Sequence, residues 1–164
     1  VSLSPIVIIG YGNPSRGDDA LGPLVIEQLE QQQRVDKRDS AYELITDFQL
    51  QIEHVTDLEN RDLLLFIDAA VSTAPPYQFS QLKPLRDHSY SSHSLTPATL
   101  LAVFEDVYKK PAPPAYLLTI PGVQFELGKS LSPQAKACLG YSLDFINALL
   151  EKPVPASWDE KRTG

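Results

Sequence analysis

Cysteine is almost missing from this chain of 164 residues, where Cys138 stands alone. One thiol excludes an internal disulfide and any zinc site built from several thiolates, so a metal handled here must meet histidine and carboxylate ligands. Long apolar runs are missing as well. The longest, such as residues 63–67, fall far short of the roughly 20 residues that a membrane-crossing helix needs. No basic stretch or small-residue cleavage site accompanies the first apolar run, and the expectation is a cytoplasmic protein. Positive charge is scarce, with 14 Lys and Arg against 21 Asp and Glu, a formal net charge of −7. A field of that sign repels phosphates and argues against a nucleic-acid partner. What is present is ordinary: 43% hydrophobic and 21% charged residues suit one domain around a single core.

The apolar run 6–10 ends in Gly10 and has the pattern of a strand buried on both faces. From Asp18 or Asp19 the spacing changes, and Leu21, Leu24, Val25 and Leu29 mark one face of a helix to about Gln33. Residues 42–45 form a candidate second strand, 51–58 a short helix, and 63–67 a central strand that closes on Asp68. Residues 77–82 suit a strand near the sheet edge, because Pro84 removes a ladder donor just beyond it. Thr96-Pro97 and Ser132-Pro133 each place a hydroxyl at the cap and proline in the first turn of a helix. Those helices run to about Lys110 and Glu151, with a strand over 115–120 between them. The alternation predicts a three-layer α/β/α sandwich of the phosphorylase/hydrolase-like kind. Its twisted sheet has about five strands, mostly parallel, with room for one antiparallel strand from the Tyr77 region. Residues 1–151 are taken as the single α/β domain and 152–164, polar and proline-bearing, as a poorly ordered tail.

The loop after the first strand carries the chemistry. Gly10-Tyr11-Gly12 invites a dinucleotide reading, but Gly-x-Gly-x-x-Gly needs a third glycine where Ser15 stands. A nucleophile elbow, Gly-x-Ser-x-Gly, needs glycine where Asn13 stands. What is left is a flexible loop that delivers Asp18-Asp19 to the start of a helix. One reading makes these acids a cap and a complement to the helix dipole, each contributing on the order of 1 kcal/mol. The other points Asp19 into the crevice above the strand ends, where open α/β sheets place their ligands.

Partners for Asp19 are needed to choose between them. Asp68 ends a central strand, where a bare carboxylate is costly unless it is solvated or paired; it is either a site acid or a loop acid. His93 lies three residues before the Thr96 cap, in a loop entering a helix. In the common doubly wound order the strands before Gly12 and Asp68 are neighbours, and their loops face one crevice. Asp19, Asp68 and His93 together are a mixed oxygen and nitrogen set that suits nickel or zinc and leaves coordination positions open. No His-Glu-x-x-His zinc-protease helix occurs, since Glu53-His54 lacks a second histidine. Cys138 shares an apolar helical face with Tyr141, Phe145 and Leu149 and is assigned to core packing.

The segment Ile9-Gly10-Tyr11-Gly12-Asn13-Pro14-Ser15-Arg16-Gly17-Asp18-Asp19-Ala20-Leu21-Gly22 resembles the opening motif of hydrogenase maturation proteases. Phe66-Ile67-Asp68-Ala69 is similar to that family's second acidic site. Ser92-His93-Ser94 with Pro97 and Leu100 is similar to its histidine site, and residues 125–133 resemble its late loop. The matches are spread over most of residues 5–150. Asp47-Phe48-Gln49-Leu50-Gln51-Ile52-Glu53-His54 most resembles the branch serving NAD-reducing, bidirectional hydrogenases; other branches carry a glycine and threonine stretch there. The resemblance implies a cytoplasmic, aspartic-type endopeptidase that removes a C-terminal extension from the nickel-loaded large-subunit precursor of a hydrogenase. Asp19, Asp68 and His93 would contact nickel carried by the substrate, not tightly held by the free protein, and would serve the cleavage. Asp47, Gln49, Gln51 and His54 would tune substrate choice or stand exposed on a short helix. A monomer is expected, with no membrane or nucleic-acid partner.

Two rivals remain at the level of sequence. Peptidyl-tRNA hydrolases also open with Gly-x-Gly-Asn-Pro after a first strand, but their motif continues with tyrosine and Thr-Arg-His-Asn, where this chain has Ser15-Arg16-Gly17-Asp18-Asp19. A non-catalytic nickel-binding chaperone would use the same three residues to inspect the same client.

Overall fold

The computed structural model describes residues 3–36, 41–86 and 95–163. Five strands, β1 (Ile6–Tyr11), β2 (Tyr42–Asp47), β3 (Leu63–Ala70), β4 (Gln78–Leu82) and β5 (Ala115–Pro121), form one sheet in the order β2-β1-β3-β5-β4. All neighbouring pairs are parallel except β4 with β5, so the antiparallel strand from the Tyr77 region is borne out. Every residue of β1 is buried, as its unbroken apolar run requires of a strand covered on both faces.

Four α-helices are described: α1 (Leu21–Asp36), α2 (Pro97–Tyr108), α3 (Pro133–Glu151) and α4 (Pro155–Glu160). The hydroxyls of Thr96 and Ser132 accept from the amides of Thr99 and Ala135, so both cap devices work as their sequence implies. Strand alternation divides the core. Ile6, Ile8, Leu65 and Ile67 face α1, α3 and α4; Val7, Ile9, Leu64 and Phe66 face α2 and a 3₁₀ helix at Ile52–Leu58. This is the three-layer sandwich, with β1 and β3 side by side at its centre.

Two expectations need correction. Of the segment 152–164, the described residues 152–163 are not a poorly ordered tail. After α3 the chain turns into α4, whose Trp158 is fully buried against Phe79 and Tyr116 and donates its indole N–H to the Leu149 carbonyl at 2.9 Å. Thr163 then bonds the backbone of Phe79 on the β4 edge. One large aromatic anchors a segment whose other residues are polar, and composition hides it. On α3, Tyr141 points outward, because the buried stripe runs through Cys138, Ser142, Ile146 and Leu149 at helical spacing. Cys138 itself lies in the core as assigned.

Candidate active site

The parallel strands end together on one rim, and alternation decides which side chains meet there. Ile9 and Phe66 are register partners facing α2, and two residues further along, Tyr11 and Asp68 face the same way. Asp47 is level with Tyr11 on one side, and Thr119 with Asp68 on the other. Gln78 follows next to Thr119. The five form a polar row across the carboxyl edge of the sheet, directly above the apolar core cluster of Leu50, Val55, Phe66 and Leu100. Of this row the sequence singled out Asp47 and Asp68. Tyr11, Thr119 and Gln78 went unnoticed, and strand register was the signal that could have found them.

Asp68 is mostly buried. Its Oδ1 accepts from the Ala69 amide at 2.8 Å, and the Tyr11 hydroxyl donates to the same carboxylate. Burial pushes its pKa up to about 6. The nearby Asp19 charge adds to the rise, while the Ala69 amide and Tyr11 partly oppose it. Tyr11 answers in kind: burial first, then the charge of Asp68 and its hydrogen bond, hold the phenol well above its ordinary range.

Asp19 reaches the site from the other side of the crevice. The chain leaves β1 through Gly12, whose amide donates to the Asp47 carbonyl at 3.0 Å, and passes into a 3₁₀ turn at Gly17–Ala20. Gly12 has φ of 149°, and a Cβ there would stand 2.0 Å from the Asp19 carbonyl oxygen and 3.3 Å from its Oδ1. No other residue fits, since both the backbone angle and the space exclude a side chain. The Asn13 amide then holds Asp19 Oδ2 at 2.7 Å.

Asp18 and Asp19 have different surroundings, and Asp18 takes a role that the sequence did not offer. Asp18 is fully buried and accepts from the amides of Val123, Gln124 and Ser132 and from the Ser132 hydroxyl. Burial by itself would raise its pKa, but the Ser132, Val123 and Gln124 bonds outweigh that and hold it below the usual carboxylate value. It clamps the start of α1 to the loop entering α3. The Gly17 amide on Lys129 O and the Gly128 amide on Ser15 O reinforce the clamp. Neither acid caps a helix in the simple sense: no side-chain cap bond is made at this turn.

His93 lies outside the described residues. Among those described, no three His, Cys, Asp or Glu side chains form a metal-holding group. Asp19 and Asp68 interact through their charges, and among the described residues neither is in an ion pair with Lys or Arg. Two neighbouring carboxylates without a cation fit an oxygen-seeking metal brought from outside, with Tyr11 and the Asn13 and Ala69 amides orienting the ligands.

The stretch 47–54 is more internally bound than exposed. His54 is 8% exposed; its Nδ1 accepts from the Gln51 amide at 2.9 Å, and its Nε2 lies 3.3 Å from Asp47 Oδ2. Asp47 Oδ1 accepts from the Phe48 amide. Gln51 starts the 3₁₀ helix, and Gln49 stands exposed. His54 is therefore not an exposed residue on a short helix but a buried brace behind Asp47.

No protein-family model and no curated protein sequence matches the chain. Solved structures do. The hydrogenase maturating endopeptidase HybD from Escherichia coli superposes with a TM-score of 0.67 at 23% identity, covering 89% of this chain and 92% of its own. The NiFe hydrogenase maturation protease HycI from Thermococcus kodakarensis gives 0.68 at 23% identity, with 91% and 94% covered. The solution structure of an endopeptidase from Escherichia coli gives 0.65 at 26%, again with 91% and 94% covered. The chain shares their fold over nearly its whole length.

Proposed function

We propose that this protein is an endopeptidase that removes the C-terminal extension from the nickel-loaded large-subunit precursor of a NiFe hydrogenase and recognises the bound nickel. The observation that carries this is the meeting of Asp19 and Asp68 on one rim, interacting and without a cationic partner among the described residues. The fold shared with the maturation endopeptidases supports it.

The nickel is part of the substrate, held by the precursor's own ligands. Repulsion between the two carboxylates is a standing cost that an arriving cation relieves, so affinity for loaded precursor is raised over empty precursor. Asp19 presents an oxygen whose partner is fixed by the Asn13 amide, and Asp68 one fixed by Ala69 and Tyr11. Either Asp19 or Asp68, whichever is not engaged by the metal, suits a general base toward the attacking water. His93 is proposed as the third group on sequence grounds. The stretch 47–54 is proposed to select the client, which we assign to the NAD-reducing, bidirectional class on its resemblance; Gln49 makes direct contact, and His54 acts through Asp47.

Purified protein mixed with nickel-loaded and nickel-free precursor tests this through the mass of the large subunit. The expected result is loss of the extension from the loaded form alone. Asp19→Ala, Asp68→Ala and His93→Ala are expected to fold and to block the mass loss. Capture of loaded precursor without any cleavage would replace the protease reading with that of a chaperone, and equal cleavage of both forms would remove nickel recognition.

A further inference from the structure

Beside the acid site lies a hollow of about 350 Å³ lined by Gly12, Pro14, Pro23, Thr46, Asp47 and Phe48. We propose that it receives an apolar side chain of the client residue next to the scissile bond. The inference rests on the peptidase reading given above and adds a side-chain specificity to it.

Three features point to that occupant. The first is position. Gly12 belongs to both: it lines the hollow, and a Cβ built on it would stand 3.3 Å from Asp19 Oδ1. A residue whose side chain enters the hollow therefore lies beside the loop that carries Asp19, where a residue adjoining the bond being cut would sit. The second is the chemistry of the walls. Two proline rings and an aromatic ring supply rigid apolar surface; the polar members are Thr46 and Asp47, and the Asp47 carboxylate is already occupied by the Phe48 amide and His54. An acidic side chain would meet Asp47 with no Lys or Arg in the lining to offset it, whereas an apolar one loses nothing by leaving water. The third is Phe48, which is 67% exposed although it is a large aromatic. It lines the hollow and is left largely in solvent, apolar surface that a docking side chain would cover.

The hollow is of ordinary size for a small-ligand pocket and holds any single side chain. Nickel recognition at Asp19 and side-chain recognition in the hollow would fix the client chain at two points, which sets where along it the cut falls.

A loaded precursor series carrying Ala, Leu, Phe or Asp at each of the two residues flanking the cut tests this, with kcat/KM measured for wild type, Phe48→Ala and Phe48→Lys. At one of the two positions wild type is expected to prefer Leu or Phe over Asp by at least about tenfold, the discrimination such a pocket gives. Phe48→Ala should flatten that preference, mainly through KM, and Phe48→Lys should rescue the Asp-bearing client. A flat profile in wild type, or a preference unchanged in both variants while the parent precursor is cut normally, overturns the pocket and leaves the peptidase reading standing. No cleavage of any precursor by wild type overturns both.

Discussion

Removing one carboxylate at Asp18 and one at its neighbour Asp19 should give opposite phenotypes, and the hydrogen bonds say by how much. Asp18→Ala strands four donors: the Val123 and Gln124 amides near the surface, and the Ser132 amide and hydroxyl in the interior. Water can rescue the first two. The buried pair at Ser132 stays unsatisfied, at about 1–3 kcal/mol each, so a total loss of about 3–5 kcal/mol is expected. For a chain of this size that lowers Tm by on the order of 10 °C. Asp19→Ala loses one part-buried bond from the Asn13 amide, worth about 1 kcal/mol at most, and should abolish processing instead. Urea unfolding followed by circular dichroism measures both. Because the folded pKa of Asp18 lies below its unfolded value, its stabilisation is complete above the unfolded pKa and is lost as pH falls through the folded one. The gap between wild type and Asp18→Ala should therefore close in acid. An Asp18→Ala protein within about 1 kcal/mol of wild type at pH 7 would refute the clamp, and so would an Asp19→Ala protein less stable than Asp18→Ala.

Tyr11→Phe keeps the ring in the core cluster and removes only the hydroxyl that orients Asp68. Stability should change by no more than about 1 kcal/mol while kcat for the loaded precursor falls about tenfold; unchanged kcat would deny Tyr11 its positioning role. For Asp68 the sign is reversed from Asp18, since its folded pKa of about 6 lies above the unfolded value. Its contribution in metal-free protein is fully present below the unfolded pKa and is lost as pH rises to about 6. Asp68→Asn should remove that decline and exceed wild type by on the order of 2 kcal/mol at pH 7.5 in urea unfolding, and parallel pH profiles for the two proteins would contradict the burial argument.

The sheet was legible because its central strands are unbroken apolar runs and because Thr96-Pro97 and Ser132-Pro133 announce helix starts locally. Asp19 and Asp68 drew notice for local reasons, one at the entry to the first helix and the other where a central apolar run gives way to a carboxylate. The clamp made by Asp18 was not legible, because its partners lie more than a hundred residues away and are mostly backbone amides, which every residue carries. Tyr11 was passed over because its meaning depends on strand register, and register is a tertiary fact. The brace formed by His54 was hidden likewise, since Glu53-His54 drew attention as a failed zinc motif while the ring's partners, Gln51 and Asp47, sit on its own near sequence. Trp158 was misjudged because one aromatic in a polar, proline-bearing segment does not alter its composition, yet is enough to seat it.

The tight passage around Gly12 and Gly22 has a mechanical meaning. A Cβ on Gly22 would stand 2.4 Å from the Tyr11 carbonyl oxygen, so the start of α1 lies directly on the backbone of β1 with no side chain between them to act as a cushion. Asp19 is attached to one of these backbones, and Tyr11, which holds Asp68, to the other. The backbones that carry Asp19 and Tyr11 are thus in direct contact, and the spacing between them is set by main chain and not by side-chain packing. A side chain added at either glycine would therefore not fill a space but push the helix start off the strand, and the acid turn with it.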